Sequence, residues 1–152
     1  MKKFSQEHQE TLETGTKNLL QAIGDDPNRD GLLETPKRVA KAYAEIFSAT
    51  GETQFDNYKL FPTDHDSDMV IVADIPFYAM CEHHLLPFFG TVTVGYVPDG
   101  EIIGLSKIPR LVDWAARRPS VQENLTALIC SEMQRIVHPK GVAVHVQSRH
   151  MC

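Results

Sequence analysis

No apolar run in the sequence approaches the ~20 residues that a membrane-crossing helix requires. The N-terminus, Met1-Lys2-Lys3-Phe4-Ser5-Gln6-Glu7-His8, turns polar at once, so a secretory signal is not expected. Cysteine is scarce: three residues among 152, an odd number and too few for a disulfide framework. Basic charge is short as well, with 15 Lys and Arg against 20 Asp and Glu. The net charge of −5 argues against a nucleic-acid binder, which carries an evident basic excess. No internal repeat or low-complexity tract is found. The apolar fraction of 42% and charged fraction of 23% are ordinary for a globular protein. A reduced, cytoplasmic protein of one domain with a short extension is the expectation.

Two of the few cysteines stand beside histidines. Residues 81–84 read Cys-Glu-His-His, and the sequence closes on His150-Met151-Cys152. One helical turn would put Cys81 and His84 on one face, and a strand would do the same for His150 and Cys152. Two thiolates and one imidazole would then be available to a tetrahedral zinc, with the open fourth position of a catalytic site. The three-residue spacing from Cys81 favours His84 as the ligand. His83 and His150 are left as free imidazoles beside the metal, suited to carrying protons near neutral pH. Cys130 falls in a helical stripe without a partner and reads as core. Asp26-Pro27-Asn28-Arg29-Asp30-Gly31 matches half of an EF-hand loop, but its twelfth position is Lys37 instead of glutamate, which rejects calcium.

Helical periodicity is found over residues 4–23 and again after Thr35-Pro36, read as an N-cap followed by proline. Residues 51–68 read as a connecting loop. Met69–Ala73 is a strand candidate closed by Pro76, and Thr91–Tyr96 alternates as a second strand before the Pro98-Asp99-Gly100 turn. A helix is expected from Ser106 to Arg118-Pro119. Another opens at Ser120-Val121-Gln122-Glu123, a capping-box match. Val142, Val144, Val146, Ser148, His150 and Cys152 share one parity of a last strand. Strand and helix runs are segregated, which points to an α+β fold with antiparallel pairing.

Two polar groups have competing readings. Ser106-Lys107-Ile108-Pro109-Arg110 places two cations in the first turn of a helix, where an anion such as phosphate would be welcome; a solvated basic turn fits equally. Glu123 is either the N3 member of the capping box or, with Gln122, a pair for a purine edge.

Cys81-Glu82-His83-His84-Leu85-Leu86-Pro87-Phe88-Phe89-Gly90, Gly104-Leu105-Ser106-Lys107, Arg118 with Val121-Gln122-Glu123, and His150-Met151-Cys152 occur in that order. Together they closely resemble GTP cyclohydrolase I, as do Asp30-Gly31-Leu32 and Thr35-Pro36-Lys37-Arg38-Val39. The resemblance implies a T-fold (tunnelling fold) catalytic domain at residues 61–152, an antiparallel sheet with two helices, behind a helical N-terminal region at residues 1–60. It implies a toroidal homodecamer with active sites at subunit interfaces. The activity implied is zinc-dependent conversion of GTP to 7,8-dihydroneopterin triphosphate with release of formate, the entry to tetrahydrofolate-type pterins.

Position by position, the resemblance makes Cys81, His84 and Cys152 the zinc ligands. It makes His83 the acid at the imidazole ring of guanine, and His150 an acid/base for later steps at the ribose. Ser106, Lys107 and Arg110 fall where the family holds ribose and triphosphate, and Gln122 and Glu123 where it holds guanine. Ala79 stands where Ser or Thr is usual, and Ser120 where Gln is usual. Family members continue past this last cysteine with a Met-Arg-Gly-containing strand and a further helix that supply another triphosphate arginine. A chain ending at Cys152 is expected to lack them, to assemble poorly and to be nearly inactive. The rival reading is therefore a non-catalytic zinc-bound fragment of the same fold.

Overall fold

The computed structural model describes residues 4–64 and 68–152. The polar start at Met1-Lys2-Lys3, and His65, Asp66 and Ser67 near the end of the expected 51–68 loop, lie outside the described residues. The chain divides into two compact units, Met1–Thr50 and Gly51–Cys152.

The first unit is a helix pair, α1 (Gln6–Ala22) and α2 (Thr35–Ile46). Ser5 caps α1 reciprocally. Its hydroxyl accepts from the His8 backbone N–H at 3.2 Å, and its own N–H donates to His8 Nδ1 at 3.3 Å. Histidine thus takes the place of the usual Glu or Gln of a capping box. Thr35, expected as an N-cap, is the first helical residue instead. Glu34 precedes it in αR conformation without a side-chain cap, and Pro36 occupies the first turn, where its missing N–H costs nothing.

The second unit carries a four-stranded sheet in the order β5-β2-β3-β6: β2 is Val70–Cys81, β3 Pro87–Val97, β5 Pro119–Ser120 and β6 Gly141–His150. A separate ribbon pairs β1 (Leu60–Pro62) with β4 (Glu101–Ile103), so the expected 51–68 loop contains a short strand. Helices α3 (Lys107–Ala116) and α4 (Gln122–Val137) pack on β2 and β6 respectively and touch one another. The α+β class with mainly antiparallel pairing is observed; the β2–β5 pair is parallel.

Burial alternates as a half-buried sheet demands. Ile75, Phe77, Ala79 and Cys81 of β2, and Phe88, Val92, Val94 and Tyr96 of β3, are buried. Ile108, Leu111, Val112 and Ala115 of α3 and Leu125, Ile129, Met133 and Ile136 of α4 are buried as well. Pro76, expected from sequence to close the strand that begins near Met69, does not end β2. The ladder shifts between Val72 and Ile75, with Asp74 at φ 55°, and this bulge lets the strand run on to Cys81. Cys130 is half-buried instead of a core residue, because it sits at the flank of the α4 stripe.

A buried ion pair ties the irregular segment after Gly51 to α4. Glu132 is 5% exposed and accepts from the Phe55 backbone N–H at 2.7 Å and from Arg135 Nη2 at 2.7 Å and Nε at 3.0 Å. Arg135 in turn donates to the Phe55 carbonyl at 2.9 Å. Burial pushes the Glu132 carboxyl up, but the bonds from Arg135 and Phe55 outweigh it and hold it below the usual carboxylate range. A carboxyl depressed on folding contributes stability that is present above its unfolded pKa and is lost as pH falls through the folded one. Glu132→Gln is therefore expected to cost about 2 kcal/mol at neutral pH. It should also flatten the stability loss below about pH 4.5; urea unfolding at pH 7 and pH 4 measures both.

Candidate functional site

The β2–β3 connection is what turns Cys81 and His84 toward each other. Cys81 ends β2 on its buried parity, and residues 82–84 form a turn closed by the Leu85 N–H donating to the Cys81 carbonyl at 2.8 Å. That i→i+4 bond is one helical turn, the geometry expected from the spacing, set inside a hairpin. Leu85 accepts φ 51° to leave it, a strained value for a non-glycine residue. The Glu82 N–H donates to the Ser120 carbonyl at 3.0 Å, so the turn is tied to β5 as well.

Cys152 arrives from the other side of the hairpin. His150 of β6 pairs with Phe88, and the Met151 N–H donates to the Pro87 carbonyl at 3.0 Å. Ligand atoms of Cys81, His84 and Cys152 consequently lie within 4.8 Å of one another, with Cys81 Sγ and His84 Nδ1 at 3.9 Å. A tetrahedral zinc with Zn–S about 2.3 Å and Zn–N about 2.0–2.1 Å separates such atoms by roughly 3.5–3.8 Å. The donor set and its spacing therefore fit zinc after a small contraction, with one coordination position left over. The His84 imidazole and the His83 backbone N–H bring the Cys81 thiol down to about 6, toward the thiolate a metal needs. The neighbouring Cys81 pushes the Cys152 thiol up.

A cavity of about 200 Å³ opens beside these ligands. Cys81, Cys152, His83 and His150 line it from the hairpin and β6, and Ser120, Val121, Gln122 and Glu123 from the start of α4, with Phe88 as its apolar wall. It is smaller than the roughly 300–1,000 Å³ of pockets that enclose a drug-sized ligand. One ring system is a better match to it than a whole nucleotide.

The expected capping box is absent. Ser120 is drawn into the β5 pairing opposite Cys81 and its hydroxyl donates to the Val121 carbonyl at 3.2 Å. The N-cap is Val121, without a side-chain bond. Glu123 therefore sits one position earlier in the helix than a capping box requires and faces the cavity free of that duty. Gln122 also lines the cavity, but its amide is turned to β6: Nε2 donates to the Val146 carbonyl at 3.1 Å, while Oε1 receives Ser148 Oγ at 2.6 Å and His150 Nε2 at 2.9 Å.

Ser106, Lys107 and Arg110 are not among the lining residues. Ser106 and Lys107 stand at the start of α3, and Lys107 Nζ donates to Asn57 Oδ1 at 2.9 Å. The opposite end of α3 leads into Pro119-Ser120 beside Cys81. At about 1.5 Å per residue, the helix carries its cationic turn some 15 Å along its axis from that end. Within one chain, the candidate metal ligands, His83, His150, Gln122 and Glu123 are brought together, and the anion-binding candidates are not.

Sequence reading passed over two contributors. Phe88 stacks on the His150 ring at 5.0 Å and an interplanar angle of 2°, and Ser148 bonds both Gln122 and His150. The signal for each was pattern alone: Phe88 lies opposite His150 in register, and Ser148 shares its strand face.

Known proteins match nearly the whole chain. "GTP cyclohydrolase 1" of Lactiplantibacillus plantarum is 55% identical across 98% of the chain and 79% of its own length. The protein of the same name from Enterococcus faecalis is 52% identical, covering 98% of the chain and 81% of its own length. "Bifunctional protein FolKE" of Lactococcus lactis is 56% identical over 93% of the chain, which matches 41% of that longer protein. The sequence model of GTP cyclohydrolase I matches residues 12–152, and with relatives of such identity the chain belongs to the GTP cyclohydrolase I family.

Proposed function

We propose that this protein is a GTP cyclohydrolase that converts GTP to 7,8-dihydroneopterin triphosphate and formate. The carrying observation is the convergence of three soft ligand atoms within 4.8 Å on a cavity also lined by His83, His150 and Glu123. Cys81, His84 and Cys152 would hold zinc, whose Lewis acidity makes water nucleophilic near neutral pH when the ion is bound. Glu123 accepts the paired N–H groups of the guanine edge. His83, exposed at the cavity, donates a proton to the imidazole nitrogen of guanine and so makes C8 electrophilic toward water. Ring opening and a second hydrolysis release formate. His150 then moves protons during ribose opening and closure of the new ring.

Ser106, Lys107 and Arg110 hold the ribose and triphosphate. Because they stand away from the cavity of their own chain, the complete site is assembled from neighbouring copies. This favours the family's ring-shaped homodecamer, built on T-fold domains spanning residues 61–152 behind the helical region 1–60. A reducing compartment such as the cytoplasm would keep Cys81 and Cys152 as thiols. Among the described residues, no helix is long and apolar enough to cross a membrane.

The purified protein is expected to carry about one zinc per chain and to release formate from GTP. Cys81→Ala should lose both properties. Metal-free protein turning over GTP at the full rate would remove zinc from the mechanism; zinc-loaded protein releasing no formate would remove the reaction.

A further inference from the structure

The hydrogen bonds around His150 determine which of its nitrogens carries the proton. The Val146 carbonyl can only accept, so the Gln122 amide must present its nitrogen there, at 3.1 Å. Its oxygen then faces Ser148 Oγ at 2.6 Å and His150 Nε2 at 2.9 Å. An amide oxygen can only accept, so both of these groups donate to it. The single hydroxyl hydrogen of Ser148 is thereby committed to Gln122. At the 3.0 Å contact between Ser148 Oγ and His150 Nε2, the hydroxyl oxygen is left to accept. The Nε2–H of His150 is shared between Gln122 and Ser148, and Nδ1 keeps the lone pair, 3.9 Å from Cys152 Sγ.

Phe88 fixes the plane of the imidazole by stacking. A flat apolar ring cannot distinguish the two edges of that imidazole, since a half-turn about its side-chain axis stacks equally well. The polar pair on one edge makes the distinction. The backbone provides for it: Gly90 lies opposite Ser148 in the β3–β6 ladder, and a Cβ there would collide with the Gln147 carbonyl. Only glycine lets β6 come this close and bring Ser148 within reach of Gln122.

We infer that Ser148 is a positioning residue, which together with Gln122 locks His150 in one ring orientation and in the Nε2–H tautomer. The inference rests on the proposed acid/base role of His150. Ser148→Ala removes one acceptor from Nε2–H and one donor from the Gln122 oxygen. Loss of such neutral bonds corresponds to a roughly three- to tenfold drop in kcat. KM for GTP, zinc content and assembly should be unchanged, because Ser148 is neither a ligand nor at the guanine edge. Ser148→Thr, which keeps the hydroxyl on a strand position that suits threonine, should restore kcat.

The tautomer is read independently of turnover by ¹⁵N spectra of histidine-labelled, zinc-loaded protein, with His150→Asn assigning the signals. The native protein should show an Nε2–H, Nδ1-unprotonated His150, and Ser148→Ala a displaced Nε2 resonance, because that N–H loses one of its two acceptors. An Nδ1–H tautomer in the native protein overturns the inference, and so does an unchanged spectrum with unchanged kcat in Ser148→Ala. A loss of activity accompanied by loss of zinc, and not restored by threonine, overturns it too. If the native protein releases no formate from GTP, the role of His150 fails, and the spectra still decide the tautomer.

Discussion

His83→Ala is expected to keep its zinc and to lose GTP turnover by about 10²- to 10⁴-fold, whereas His84→Ala is expected to lose the zinc itself. The two side chains are sequence neighbours with opposite surroundings. His84 Nδ1 lies 3.9 Å from Cys81 Sγ and belongs to the three-residue ligand cluster. His83 is 65% exposed in its side chain, with Glu82 Oε1 no closer than 3.9 Å, and it lines the cavity. A group so free to meet solvent and ligand suits proton donation; one held against a thiol suits metal binding. Zinc quantified on each variant, alongside formate release, separates the roles. Zinc lost from His83→Ala and retained in His84→Ala would exchange them.

Glu123→Gln should leave the fold nearly untouched and impair GTP use by about 30- to 1,000-fold in kcat/KM. Without a capping bond to lose, the structural cost is that of a first-turn carboxylate at a helix N-terminus, about 0.3–1 kcal/mol. The functional cost is larger, since a carboxylate accepts two parallel N–H bonds from guanine and an amide accepts one. The lost charged bond is worth about 1.5–3 kcal/mol, and a purine N–H is left facing a donor. Thermal unfolding and initial rates on one preparation compare the two costs. Near-normal kinetics would return Glu123 to a role in the helix alone.

The expectation for Glu123 changed between sequence and structure for a traceable reason. Ser120, three residues before a glutamate and ahead of an apolar stripe, is locally a good N-cap. Its carbonyl and its strand pairing are claimed by Glu82 and Cys81, so the helix starts after Val121 instead. A similar competition carried β2 through Pro76: the bulge at Asp74 depends on β3 lying alongside, which no local window contains. The parity of β6 and the helical turn at Cys81 were legible because side-chain periods of two and about four act over a few residues.

Local chemistry thus specified the candidate ligand types, the segregation of strands from helices and the faces that Cys81, His84 and His150 present, since each follows from spacing over a few residues. The partners of those residues were decided only when distant segments met. Glu132 found Phe55 across 77 residues of chain, and Gln122 turned to Ser148 across 26. Phe88 met His150 in the register of a ladder. Which polar group a side chain serves depends on what the fold places within about 3 Å of it, and at those sequence separations that is a property of packing.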